Sequence, residues 1–129
     1  MRYLNNLSAA VGSGLLAGCL SLACGSALAE EPHAASIKVY NTYCVQCHGI
    51  NRDGRGINSE HMSVQPRDHT DSKAMGDTPD ATLFKAIKEG GLAVGKSVLM
   101  PKWGGVLNDE QITDLVSYLR FISHTTSTQ

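Results

Sequence analysis

Large aromatic side chains are scarce in this 129-residue chain, which has one tryptophan, two phenylalanines and four tyrosines. A chain of this length is one domain, and so few large rings leave its own core marginal. No run reads as a β-strand and no internal repeat is present, which leaves helices and loops. Charge of one sign is lacking as well: the formal net charge is −1. A basic patch or stripe, the footprint of nucleic-acid binding, is therefore not expected. A strongly hydrophobic run is also missing. The apolar stretch from about Leu7 to Leu22 is rich in Gly, Ser and Ala, which makes it a poor permanent membrane anchor.

That stretch reads as an export signal. Arg2 carries the only charged side chain before Glu30, and Ala27-Leu28-Ala29 fits a signal-peptidase site. The expected organisation is a signal peptide over 1–29 and a single domain over 30–129, outside the cytoplasmic membrane. The mature domain would then have 100 residues and a charge of −2. Leu16-Ala17-Gly18-Cys19 also resembles a bacterial lipobox, which would tether the domain through a lipidated Cys19. Against it, Leu20 to Ala29 stays apolar and carries Cys24. Cleavage after Ala29 removes two of the four cysteines, so export does not imply a structural disulfide.

The remaining two lie in Cys44-Val45-Gln46-Cys47-His48. Two cysteines separated by two residues, with a histidine directly after, form the attachment signature of haem c. The thiols of Cys44 and Cys47 add across the two vinyl groups of one haem. The spacing keeps both sulfurs on one side of a short turn, and His48 follows as proximal iron ligand. A thioredoxin-like pair would need a neighbouring βαβ pattern. A zinc site would need a second Cys/His pair downstream, and none is present at short spacing. A plain disulfide would leave His48 without a role. A covalently held haem would also supply the apolar mass that the aromatics do not.

Helical periodicity places the motif. Ala34 to about Cys44 reads as a helix with Ile37, Tyr40 and Cys44 on one face. Gly49 to Gly56 holds three glycines in eight residues, a turn-rich loop that allows close backbone approach, expected here to be against the haem. In this loop Arg52 and Arg55 are candidate propionate partners. Asn58 to Met75 shows no clear period and is expected to be irregular, wrapping the haem's proximal side. Thr78-Pro79-Asp80 is expected to open a helix, with Thr78 as N-cap and Pro79 in the first helical position. Leu83, Phe84 and Ile87 form its face and Gly90-Gly91 its end. Leu92 to Gly105 is a loop carrying Met100-Pro101-Lys102-Trp103. Asn108 and Gln111 form a box-like cap for a last helix. Ile112, Leu115, Val116, Leu119 and Ile122 line one face, with Tyr118 at its edge and a polar tail from Ser123.

These residues resemble class I c-type cytochromes, particularly small single-haem bacterial members. The similarity rests on Tyr40, the Cys44–His48 motif with Gly49, the glycine-rich turn, Met100-Pro101 52 residues after His48, and Tyr118-Leu119-Arg120 in the final helix. Pro66-Arg67-Asp68 resembles a subset of them. The resemblance implies an all-α cytochrome c fold of three to four helices with long loops wrapped around one haem. It implies His48 and Met100 as axial ligands, with Met62 and Met75 as rivals and His61 or His69, read as solvent-facing, as bis-histidine alternatives. It also implies a proline carbonyl as acceptor for the His48 ring. Pro66 is the best-placed candidate, though its separation of 18 residues is long. Trp103 is expected to pack near the haem. Ser36 stands where the family often has glycine at the crossing of the terminal helices.

The expected function is one-electron transfer between a membrane quinol-oxidising donor and a terminal oxidase or reductase, without catalytic residues. Lys96 and Lys102 offer a small basic rim for an acidic partner. The alternatives are an open-site haem protein, either gas-binding sensor or enzyme, and a membrane-tethered haem subunit of a larger respiratory complex. A monomer is the default.

Overall fold

The structure, a computed structural model, describes residues 31–125. The leader, with Cys19 and the site after Ala29, and residues 126–129 lie outside the described residues. Among the described residues there are five helices, where three to four were expected: α1 (Ala34–Tyr43), α2 (Val45–His48), α3 (Ser72–Gly76), α4 (Asp80–Glu89) and α5 (Asp109–Thr125). Two 3₁₀ turns, Ser59–His61 and Gly91–Val94, join them, and no strand occurs among the described residues. This is the all-helical architecture expected. No described helix is long and apolar enough to cross a membrane.

α5 is the spine. Its capping box is closed in both directions: the Gln111 N–H donates to Asn108 Oδ1 at 2.9 Å, and the Asn108 N–H donates to Gln111 Oε1 at 3.0 Å. Ile112, Leu115, Val116, Leu119 and Ile122 are all buried, as their spacing on one helix face requires. Tyr118 is buried too, not at the edge. The helix also runs past the expected start of a polar tail. Ser123 is buried, and Thr125 Oγ1 turns back to the Phe121 carbonyl at 2.9 Å. α1 packs across α5, with Tyr40 and Ser36 buried between them.

α4 starts differently from the expectation. Pro79 is extended, with φ −61° and ψ 149°, and stands as the residue before the helix. Its carbonyl accepts the Thr82 and Leu83 N–H groups. Thr78 is not the cap, because its hydroxyl donates to the Ala74 carbonyl at 2.9 Å. It thereby closes α3, a helix that the sequence did not mark. Only Ala74 and Met75 are apolar in that short turn, too few to show a period. Its start is set by Asp71, whose side chain accepts the Ala74 N–H at 2.9 Å.

The end of α4 anchors the Met100 loop. The carbonyls of Ile87 and Lys88, left over at a helix C-terminus, accept the N–H groups of Trp103 and Gly104 at 2.9 and 3.0 Å. The Gly91 N–H donates to the Met100 carbonyl at 3.0 Å. A Cβ on Gly91 would stand 2.3 Å from the Ser97 carbonyl oxygen, so only glycine lets this loop fold back so closely.

Arg120 ties α5 to α3, α4 and the turn between them. Its guanidinium donates to Asp80 Oδ1 at 2.7 Å and to the carbonyls of Met75 and Thr78. Its side chain is 22% exposed. Arg120→Ala is expected to destabilise the protein by about 1.5–3 kcal/mol, the range for hydrogen bonds to charged groups. Lys73→Ala, which removes the exposed Lys73–Asp77 pair, is expected to leave the denaturant midpoint unchanged. Chemical denaturation of the two variants side by side checks both.

Candidate haem-binding site

α2 is a single turn that follows α1 after a break at Cys44. The Cys47 and His48 N–H groups both donate to the Cys44 carbonyl, at 3.2 and 2.9 Å. Positions i, i+3 and i+4 of a helical turn share one face, which is why Cys44, Cys47 and His48 all line the same cavity. Both cysteines are free thiols and half-buried. Burial, followed by the neighbouring Cys47, pushes the Cys44 thiol up to about 12.

The glycine-rich loop holds this turn from behind. The N–H groups of Gly54, Gly56 and Asn58 donate to the carbonyls of His48, Cys47 and Gln46 at 3.0, 2.9 and 2.8 Å. A Cβ on Gly56 would lie 2.4 Å from the Gln46 oxygen and 2.6 Å from the Cys47 carbonyl carbon. The close approach is thus to peptide backbone, that of α2 at Gly56 and that of Pro66 at Gly54, and, contrary to expectation, none of the three loop glycines lines the cavity.

The cavity measures about 760 Å³, within the range of cofactor sites. Leu83 and Ile87 of α4, Pro66, Met100 and Trp103 contribute to its walls. Tyr43 lines it as well, its ring tilted against Trp103 at 5.1 Å. Met62 shares the cavity with Met100, whereas Met75 is fully buried in the core and His61 is exposed. Lys96 reaches the lining and Lys102 does not.

Three expectations are corrected. The His48 ring donates from Nδ1 to the Arg67 carbonyl at 3.0 Å, one residue beyond Pro66. The Pro66 carbonyl faces Gly54 instead, within 2.5 Å of where a Cβ would stand. Arg52 and Arg55 are not among the cavity-lining residues. Arg52 is committed elsewhere: Nε donates to the Tyr118 hydroxyl at 2.9 Å, and the guanidinium also meets the Ile50 carbonyl and Asn41 Oδ1. Its charge sits over the rings of Tyr40 and Tyr118, at 5.3 and 5.8 Å. Last, His69 does not face solvent. It is 7% exposed and stacks on His48, with ring centroids 4.4 Å apart and 17° between planes.

His69 also shares a 3.0 Å hydrogen bond between Nδ1 and the Tyr40 hydroxyl. The two residues are 29 apart in sequence, and no local signal in a polar loop marks His69 as buried. Tyr40 was marked by its helix face, but its polar partner was not. Burial lowers the pKa of His48, against the pull of the Arg67 carbonyl. His69 is held well below the ordinary 6.5, first by burial and then by the charges of His48 and Arg67.

The class defined by this fold and donor set is a c-type cytochrome domain. The family described as "Cytochrome C oxidase, cbb3-type, subunit III" matches residues 32–119, and the chain belongs to that family. No curated protein and no solved structure matches it. The protein is therefore a haem c electron-transfer protein, with its haem covalently bound. The residues present fit the group: two free thiols and an imidazole on one face of a turn, opening on a cavity of suitable size and largely apolar walls.

Two outcomes follow. Gly56→Ala is expected to cut covalent haem incorporation severalfold, because the α2 carbonyls must move. Gly76→Ala, whose Cβ meets nothing within 4 Å, is expected to load normally. Haem stain of the purified variants reads both. Second, the unfolded chain protonates His69 below about 6.5 while the folded chain, with its depressed value, does not. Stability present at neutral pH is thus lost as pH falls through 6.5 toward the folded pKa. His69→Phe is expected to flatten the acid side of a plot of urea midpoint against pH.

Proposed function

We propose that this chain is an exported one-electron carrier whose iron is held between His48 and Met100. The observation that carries the reading is that Cys44, Cys47, His48 and Met100 line one cavity. Cys44 and Cys47 would hold the haem through two thioethers. The bound group supplies a reversible one-electron couple at iron.

The chain's own residues set the conditions for that couple. His48 offers Nε2 while Nδ1 donates to the Arg67 carbonyl, which fixes the tautomer and raises the basicity of the ligating nitrogen. Met100 offers a soft, neutral thioether that favours the reduced metal and raises the potential relative to two histidines. Its backbone is pinned to Gly91, so the sulfur is carried on a loop fixed to the end of α4. Leu83, Ile87 and Trp103 keep water from the cavity wall. His69 lies against the face of His48, on the same side of the site, a placement that favours Met100 over bis-histidine ligation. With His48 and Met100 both holding the iron, no position would remain open for small molecules, as a carrier rather than a gas sensor requires.

Residues 30–129 are proposed as the whole functional domain, with residues 1–29 acting as the export signal that delivers it to the periplasm. The proposed partners are a membrane quinol-oxidising donor and a terminal oxidase or reductase, with Lys96 and Lys102, both exposed, on the docking rim. The family match favours one further reading, a haem subunit working within an oxidase complex. The domain chemistry is the same in both. Co-purification with an oxidase from native membranes distinguishes the subunit from the diffusing carrier.

Absorption spectra of the haem-loaded protein test the ligation. The oxidised wild type is expected to show the weak band near the red end of the visible spectrum that reports methionine sulfur on ferric iron. Met100→Ala is expected to lose it with haem still covalently attached, and Met62→Ala to keep it. A wild type without the band would overturn Met100 as ligand.

A further inference from the structure

In the reading above the buried His69 serves only to exclude a second histidine ligand; its contact with His48 has a further consequence. A histidine ring is soft about its last torsion, where an sp³–sp² bond has only a broad, roughly two-fold preference. Among the described residues the polar restraint on the His48 ring is the bond from Nδ1 to the Arg67 carbonyl, and Arg67 sits exposed in an irregular stretch. The second restraint is a face. His69 lies flat against the His48 ring at 4.4 Å and 17°.

His69 itself is held from several directions. Its N–H donates to the Arg52 carbonyl at 2.8 Å, and Nδ1 shares its bond with the Tyr40 hydroxyl. The Tyr40 ring meets it edge-on at 5.8 Å and 72°. On either side in sequence, Asp68 Oδ1 accepts both the N–H and the hydroxyl of Thr70, at 2.7 and 2.6 Å. Tyr40 is in turn braced by Tyr118 of α5, at 5.8 Å and 79°, and by the Arg52 guanidinium above its ring. A continuous path of packed rings therefore runs from the crossing of α1 and α5 to the face of His48.

We propose that His69, locked by Tyr40 and Arg52, is a positioning residue that fixes the plane of the His48 imidazole. The proposal rests on His48 being the iron's proximal ligand. The orientation of an axial imidazole plane sets how its π orbital meets the iron d orbitals, and so the anisotropy of the ferric spin. His69 needs only its flat face for this role. The Tyr40 hydroxyl bond keeps that face in register.

The test is low-temperature EPR of the oxidised, haem-loaded protein, with proton NMR of the haem methyl groups. In His69→Ala the g values are expected to shift and broaden and the spread of methyl resonances to change, while the methionine band persists. His69→Phe, which restores a flat ring, is expected to bring both signals back toward wild type. Tyr40→Phe, which keeps every ring and removes the hydroxyl, is expected to give a smaller shift in the same direction. Wild-type g values and methyl shifts in His69→Ala overturn the proposal, even if its melting temperature falls. So does a His69→Phe spectrum as altered as that of His69→Ala. If His69→Ala fails to retain haem, unchanged spectra in Tyr40→Phe overturn it. A wild type lacking a low-spin ferric signal and the methionine band would instead overturn the His48/Met100 ligation.

Discussion

The structure depends on backbone hydrogen bonds that fasten loops to helix ends. A domain of this size with a cavity of about 760 Å³ has little apolar core with which to hold its walls. The walls are loops, and a loop without anchors would fluctuate. The carbonyls of α2 take the N–H groups of Gly54, Gly56 and Asn58, and those of α4 take Trp103 and Gly104. Each bond satisfies a group that a helix end leaves open and fixes a stretch of cavity wall. The glycines are where they are because such bonds bring two backbones too close for a Cβ.

Around that frame the packing has two parts. The apolar part is the seam of α5 with α1 and α4, where Ile112, Leu115, Ile87 and Leu83 meet. The polar part is the buried set of Tyr40, His69 and Tyr118 with the half-buried Arg52, joined by hydrogen bonds and by a cation over two rings. No buried side-chain polar atom among the described residues lacks a partner. A fully satisfied polar network specifies one arrangement more strictly than oily packing does. It reaches His48 through His69, whose ring lies flat against the His48 ring.

Electron transfer asks little of a protein beyond holding its metal with unchanging geometry and excluding water. The arrangement suits that demand. Cys44, Cys47 and His48 share a single turn, and the opposite loop is tied to the end of α4. The family, residues 32–119 of this chain, places the domain in electron transport without naming its partner.

Features carried by neighbouring residues were legible from the chain alone. The Cys44–His48 motif is one turn long, and the Asn108–Gln111 cap spans three residues. The amphipathic face of α5 repeats with the helix, so adjacent positions identify themselves. The helical class and the covalent haem follow from such local patterns. Features that need residues far apart were not legible. His69 looked solvent-facing because its sequence neighbours are polar, yet Tyr40, 29 residues away, buries it. Arg52 stood as a candidate propionate partner on a loop, yet Tyr118 holds it. The acceptor of the His48 ring moved from Pro66 to Arg67 because a carbonyl's direction is set by the whole path of the loop. Local chemistry is written in spacing. Burial, partner and direction depend on chain segments that meet only after folding.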